Sequence, residues 1–235
     1  MGTSAGRRAP TTRLWRLAKG AATRYLSPQG GGTVTAGEVV ARYLEALGEG
    51  DQGPLAAWRL TRKVAQDLGA LAALAASQGW EGALTAWGLG ELAGSPPEGL
   101  ALGLSGILVG AAGGLEAAVA RASLAAAWMT SVSFGPPAPA AGVAPGLLVQ
   151  RFLAASLHLR LALDLGEPLE AAGASYRGLR NGMETLQRCI EAAGADPMPA
   201  APRDPEDWRS LAGWTWVTET AERLLNRLAD ARSAK

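Results

Sequence analysis

A single cysteine, Cys189, and a single histidine, His158, are the scarcest chemistry in this 235-residue chain. One cysteine excludes an intrachain disulfide and suits a reducing compartment, so a cytoplasmic location is expected. A Cys/His zinc site needs four ligands, or three and a water, and the chain offers two. A mechanism built on a histidine base has one candidate. His158 lies between Leu157 and Leu159, and Asp164 is six residues on, more than a helical turn away, so a structural role is expected. Charge is also scarce, at 18% of residues against ~25% in soluble domains. That shortfall implies a large core, a partner surface or contact with lipid. The net charge of +1 gives no global field toward nucleic acid or membrane.

Further absences narrow the chemistry. No stretch alternates apolar and polar residues long enough to make a strand. No Gly-x-x-x-x-Gly-Lys-[Ser/Thr] loop exists, and Gly88-Leu89-Gly90 follows no strand, so no phosphate cradle is expected. Gly173-Ala174-Ser175-Tyr176-Arg177-Gly178 has the wrong spacing for a nucleophile elbow. The carboxylate pairs Glu167/Glu170 and Glu219/Glu222 lack the histidine of a di-iron Glu-x-x-His motif. No catalytic residue, cofactor site or metal site is therefore assigned.

What the chain has in abundance is helix signal, and the expectation is an all-α bundle of about eight or nine helices. A cationic helix is expected over 11–26. Thr35 with Glu38 forms a capping box for a helix that Gly48 closes. Pro54 opens the next helix, which runs to about Ser77 with Leu60, Val64, Leu68, Leu71 and Ala75 on one side. Another helix follows over Trp80–Leu92, ended by Gly94 and Pro96-Pro97. Glu116 to about Val132 forms a helix that continues the preceding one or restarts after Gly113-Gly114. Residues 146–165 form a helix stopped by Gly166 and Pro168, and 168–193 another. After the loop Pro197–Pro202, Asp204 caps a last helix striped by Trp208, Leu211, Trp214, Val217, Ala221 and Leu228. The run Gly135–Pro145 contains four prolines and is expected to link an N-terminal region, 1–134, to a C-terminal region, 146–235, within two domains or one.

Glycines at 99, 103, 106, 110 and 113 fall at steps of 4, 3, 4 and 3, with no charge between Gly99 and Leu115. That spacing places a bare stripe on one side of a helix, opposite Leu100, Leu104, Ile107, Leu108 and Leu115. Each interior glycine costs about 1 kcal/mol relative to alanine. The expected compensation is a packing seam, Gly99, Gly103, Gly106, Gly110 and Gly113, pressed against a neighbouring helix. A membrane span over 99–115 is the competing reading. Against it, the run is 17 residues, diluted by six glycines and flanked by Glu98 and Glu116 instead of basic residues.

The first 37 residues carry Arg7, Arg8, Arg13, Arg16, Lys19 and Arg24 and no acid. The arginine pair is not followed by an unbroken apolar run, which argues against a secretory signal, although an acid-free amphipathic start also suits an organelle transit peptide. On a helix, Leu14, Leu17, Ala18, Ala21 and Tyr25 gather on one side, and Arg13, Arg16, Lys19 and Arg24 on the other. Those four, with Arg59, Arg62 and Lys63, are the candidate contacts to nucleic acid or another anion. A helix-turn-helix over 35–68 is a poor match, because the Gly48–Gly53 connection is too long for that motif. Eight tryptophans are expected mainly in the core, with one of Trp214 and Trp216 meeting a neighbour, since they lie about 200° apart on a helix.

Gly79-Trp80-Glu81-Gly82-Ala83-Leu84, after an apolar helix, is similar to a stretch of the helical small subunits of CRISPR ribonucleoprotein effectors. The stretch is too short to assign the family. What the resemblance implies is a subunit that lines a nucleic-acid channel and performs no chemistry. Taken together, the sequence suggests a non-catalytic helical subunit that acts by protein–protein assembly. The alternatives are a nucleic-acid-associated small subunit and a membrane-associated protein.

Overall fold

A computed structural model describes residues 12–27, 34–49, 53–132, 144–173, 175–195 and 199–230. Nine α-helices and no strands occur among them: α1 Arg13–Leu26, α2 Ala36–Leu47, α3 Arg59–Ala86, α4 Pro97–Val109, α5 Gly114–Val132, α6 Pro145–Ala172, α7 Tyr176–Gly194, α8 Pro205–Arg209 and α9 Leu211–Asp230. The all-α multi-helix bundle is thus what the sequence indicated. Helix α6 sits at the centre and packs on α1, α3, α5 and α7. One buried apolar cluster runs without interruption from Trp15 to Leu228 and draws on both sides of the Pro-rich run. Apart from Ala144 and Pro145, which lead into α6, that linker lies outside the described residues.

Several ends follow their local signals. The Thr12 hydroxyl accepts from the Trp15 amide at the start of α1, and Thr35 accepts from Glu38 at the start of α2, which Gly48 closes. Pro54 begins a short 3₁₀ turn, Pro54–Trp58, that leads into α3. The two expected helices 54–77 and 80–92 join into α3, kinked at Gly79, whose φ of 76° only glycine adopts readily. Its second half stops at Ala86, short of Leu92, because the chain turns at Gly88 with φ of 72°.

Gly166 and Pro168 do not stop α6, which continues to Ala172. Interior proline costs about 3 kcal/mol and glycine about 1 kcal/mol. Leu165 and Leu169, both fully buried, return on the order of 3–6 kcal/mol and keep the helix going. The break comes instead at Gly173, and Ser175 caps α7 by accepting from the Gly178 amide. The last helix divides at Ser210. There Gln66 donates to the Trp208 carbonyl (2.7 Å) and the Ser210 carbonyl (2.9 Å), while the Ser210 hydroxyl accepts from Ala212. Trp208, fully buried, fits over Gly69 of α3, where an added Cβ would overlap the indole ring.

The glycine seam is corrected. Gly110 takes φ of 63° and ends α4, Gly113 lies in the turn, and Gly114, with φ of 85°, starts α5. These glycines reverse the chain and do not extend a stripe. Arg121 holds the turn by donating to the carbonyls of Gly110 (2.7 Å) and Ala112 (2.8 Å). Helix α4 does pack on α5 and α3, but its buried side is Leu100, Ala101, Leu104, Leu108 and Val109. Gly99 faces only Ser95 and Pro96, a Cβ at Gly103 would meet Leu92, and one at Gly106 would meet nothing. The close glycine approaches are elsewhere, at Gly69, Gly182 against Leu26, and Gly213 against the Trp208 backbone.

Candidate functional site

Because Leu100, Leu104 and Leu108 of α4 turn inward, its other side is left for solvent, and Ile107, expected beside them, lies on that outer side. Leu102 is 75% exposed and Ile107 45% exposed. Gly106 and Gly110 are exposed with them, and Gly99 and Gly103 are half-exposed. After Glu98 this side carries no charge. Helix α5 adds a line of exposed small residues at four-residue steps, Ala118, Ala122, Ala126 and Thr130. Its two charged residues are turned to internal work. Arg121 clasps the α4–α5 turn, and Glu116 accepts from the Thr61 amide (2.9 Å) and hydroxyl (3.3 Å) at the start of α3. An uncharged, aliphatic and glycine-lined exterior has no role in the core of the chain that carries it.

The basic residues fall into two groups, one on α1 and one at the opening of α3. Helix α1 buries Trp15, Ala18, Ala21 and Ala22 against α2, α6 and α7. Arg13, Arg16 and Arg24 are exposed and Lys19 is half-exposed, with no ion pair to them among the described residues. The second group is largely occupied. Arg62 donates to the Trp58 carbonyl and the Thr218 hydroxyl and stacks over Trp214 at 4.8 Å. Lys63, exposed like Arg59, pairs with Asp67 at 2.8 Å, which leaves Arg59 as the member without an ion pair among the described residues. The opening of α3 leans on α5 and α9.

Six of the eight tryptophans are buried, and the half-buried pair, Trp87 and Trp214, lies beneath Arg209 (4.7 Å) and Arg62. Trp216 is the inward member of its pair, donating to the Pro199 carbonyl and meeting Trp208 edge to face at 5.1 Å.

Sequence reasoning missed the buried polar cluster between α2 and α6. Tyr43, fully buried, donates to Asp164 Oδ2 at 2.8 Å, and Arg160 Nε meets the same oxygen at 2.8 Å. Burial, and then the Asp164 carboxylate, raise the Tyr43 hydroxyl well above its ordinary value. The Arg160/Asp164 spacing of four was readable on a helix, but Tyr43 lies 121 residues away. The three partners satisfy one another, which suits a structural clasp. His158 is held below its usual value by burial, opposed by Glu191 and a backbone hydrogen bond to Met183. Burial also raises Cys189, so its thiol is a poor nucleophile at neutral pH.

A cavity of about 330 Å³ opens between α5, α6 and α7, lined by Ala126, Thr130, Leu147, Arg151, Gln187 and Glu191 among others. Arg151 is held by the Ser131 hydroxyl at 3.0 Å, and Gln187 donates to Glu191 at 2.8 Å. No cluster of three or more metal-binding side chains occurs among the described residues. Residues 99–115 do not form one span. Helix α4 has 13 residues and is about 20 Å long, short of ~30 Å of hydrocarbon. Of the described helices only α6 is long and apolar enough to cross a membrane, and it is the central helix of the bundle.

Compared with models of protein families, with curated proteins and with solved structures, the chain matches none.

Proposed function

We propose that this chain is a non-catalytic helical subunit that works by docking other protein through the outer side of α4. The observation that carries this reading is the exposure of Leu102 and Ile107 on a helix side otherwise made of glycine. Glycines on a helix exterior forfeit stability unless something approaches closely. Exposed aliphatics beside them supply apolar area for that approach to bury. Self-satisfied polar clusters and a thiol and histidine withdrawn by burial support a structural task over a chemical one.

The test is recovery of the tagged full chain from its native cell, comparing wild type with Leu102→Glu. Leu102 is exposed, so the variant should fold. Specific protein partners are expected with wild type and lost with Leu102→Glu. An unchanged set of partners, or none with either, would overturn the reading.

The basic face of α1 favours a second reading, in which the same subunit also touches a nucleic-acid backbone. Exposed Arg13, Arg16 and Arg24 with Lys19, unpaired among the described residues, supply the phosphate contacts it requires. Binding to single-stranded DNA and RNA should then weaken steeply as salt rises and disappear when all four are changed to Gln. No binding at low salt would end this second reading.

A further inference from the structure

The cavity between α5, α6 and α7 is open because its walls are short. Ala126 and Ala127 of α5 face Ala154 and Ala155 of α6 across about 330 Å³. Two charges of opposite sign line it, Arg151 on α6 and Glu191 on α7, and neither forms an ion pair among the described residues. Arg151 is half-buried. A guanidinium has five N–H donors, and the described residues give this one a single acceptor, the Ser131 hydroxyl at 3.0 Å. Glu191 is exposed at the rim, where Gln187 donates to its Oε1 from one turn back at 2.8 Å. His158 lies within electrostatic reach of Glu191, but burial holds it below its usual value. At neutral pH it is therefore uncharged and leaves the carboxylate uncompensated.

The opposed charges decide what fits. A simple anion meets Glu191, and a simple cation meets Arg151. A neutral apolar molecule would displace water from a half-buried guanidinium and return no counter-charge. A molecule with both charges satisfies both walls. We propose that this cavity binds a free α-amino acid with a large apolar side chain. Its carboxylate lies on Arg151, its ammonium on Glu191 and its side chain against the alanines.

Each part of that ligand has its counterpart. The guanidinium fork takes a carboxylate through two parallel hydrogen bonds. The alanine methyls offer uncharged surface on which an apolar side chain leaves water. Size agrees as well. An apolar cavity of ~150 Å³ holds benzene, so about 330 Å³ takes roughly twelve non-hydrogen atoms, the size of phenylalanine. The site uses no residue of α4, so the inference goes beyond the assembly reading and does not depend on it.

The test is isothermal titration of the full chain with L-leucine, L-phenylalanine and L-tryptophan. Each is taken to about 10 mM, above the ~0.1–1 mM dissociation constant expected of so small a ligand. L-Phenylalaninamide lacks the carboxylate and should bind about tenfold more weakly than L-phenylalanine. N-Acetyl-L-phenylalanine lacks the ammonium and should lose about fivefold, because its partner is at the solvated rim. Glu191→Gln, at an exposed position, should weaken L-phenylalanine by the same factor and leave the N-acetyl compound unchanged. A general disturbance of the fold would not produce that pattern. Ala126→Phe, also exposed, should fill the opening and abolish binding, with circular dichroism checking the fold. No binding by any of the three amino acids, or analogues that bind as well as L-phenylalanine, would overturn the inference. So would binding indifferent to either variant, which would place the ligand elsewhere on the chain.

Discussion

His158 and Tyr43 are two ionisable side chains through which single residues act on stability against pH. Burial holds the folded His158 below the ~6.5 of an unfolded histidine. The unfolded chain therefore takes up a proton first on acidification, and stability that is complete above about pH 6.5 declines as pH falls below it. Thermal melts between pH 7.5 and 5 should show this decline, and His158→Gln should flatten it. Equal slopes for the two proteins would contradict the assignment. Tyr43 acts at the other end. Its folded value is raised well above the ordinary ~10, so its contribution is complete below about pH 10 and is lost as pH rises beyond. Tyr43→Phe should remove that alkaline loss while costing about 1–3 kcal/mol at neutral pH, the worth of a hydrogen bond to a charged group. Denaturant titrations at pH 7 and pH 10.5 read both effects. None of this cluster was legible beforehand except the Arg160/Asp164 spacing, because a contact across 121 residues leaves no local signal.

At the scale of elements, two glycines in helices are expected to answer oppositely to the same substitution. Gly69→Ala drives a methyl into the Trp208 indole and should destabilise by about 1–3 kcal/mol or more. Gly106→Ala meets open space and should stabilise the dispersed chain by about 1 kcal/mol, while weakening assembly. Denaturant unfolding of the two variants decides it, and a Gly106→Ala as harmful as Gly69→Ala would contradict the packing described. Glycine spacing in the sequence identified a bare stripe but not which way it faces. Gly110 and Gly114 share the 3–4 rhythm with Gly99, Gly103 and Gly106, yet they are used for backbone reversal. Periodicity is blind to φ, so turn glycines and face glycines look alike. Capping residues were legible in part. Thr35 accepts the amide of Glu38 as its spacing indicated, whereas Asp204 precedes α8 without a side-chain bond to it, and the caps at Thr12 and Ser175 were not singled out. Pro168 misled for the converse reason. A local breaker was outweighed by burial of Leu165 and Leu169, which only the tertiary structure reveals.

For the whole molecule, the all-helical architecture was legible because apolar stripes at 3–4 spacing run through nearly every segment. The low charge fraction pointed to a large core, a partner surface or contact with lipid, and the fold contains a large core. A continuous core extends from Trp15 to Leu228, and an uncharged exterior remains on α4. The basic residues were legible as a list but not as a site, since Arg62 and Lys63 spend themselves on Trp214, Thr218 and Asp67. The account therefore stands on the outer side of α4. Hydrogen exchange over the whole chain, compared between the isolated chain and the chain held with the partners recovered from its native cell, tests it most directly. Slower exchange in residues 97–110 within the assembly is the expected result. Unchanged exchange in that segment, with protection appearing elsewhere or nowhere, would contradict it.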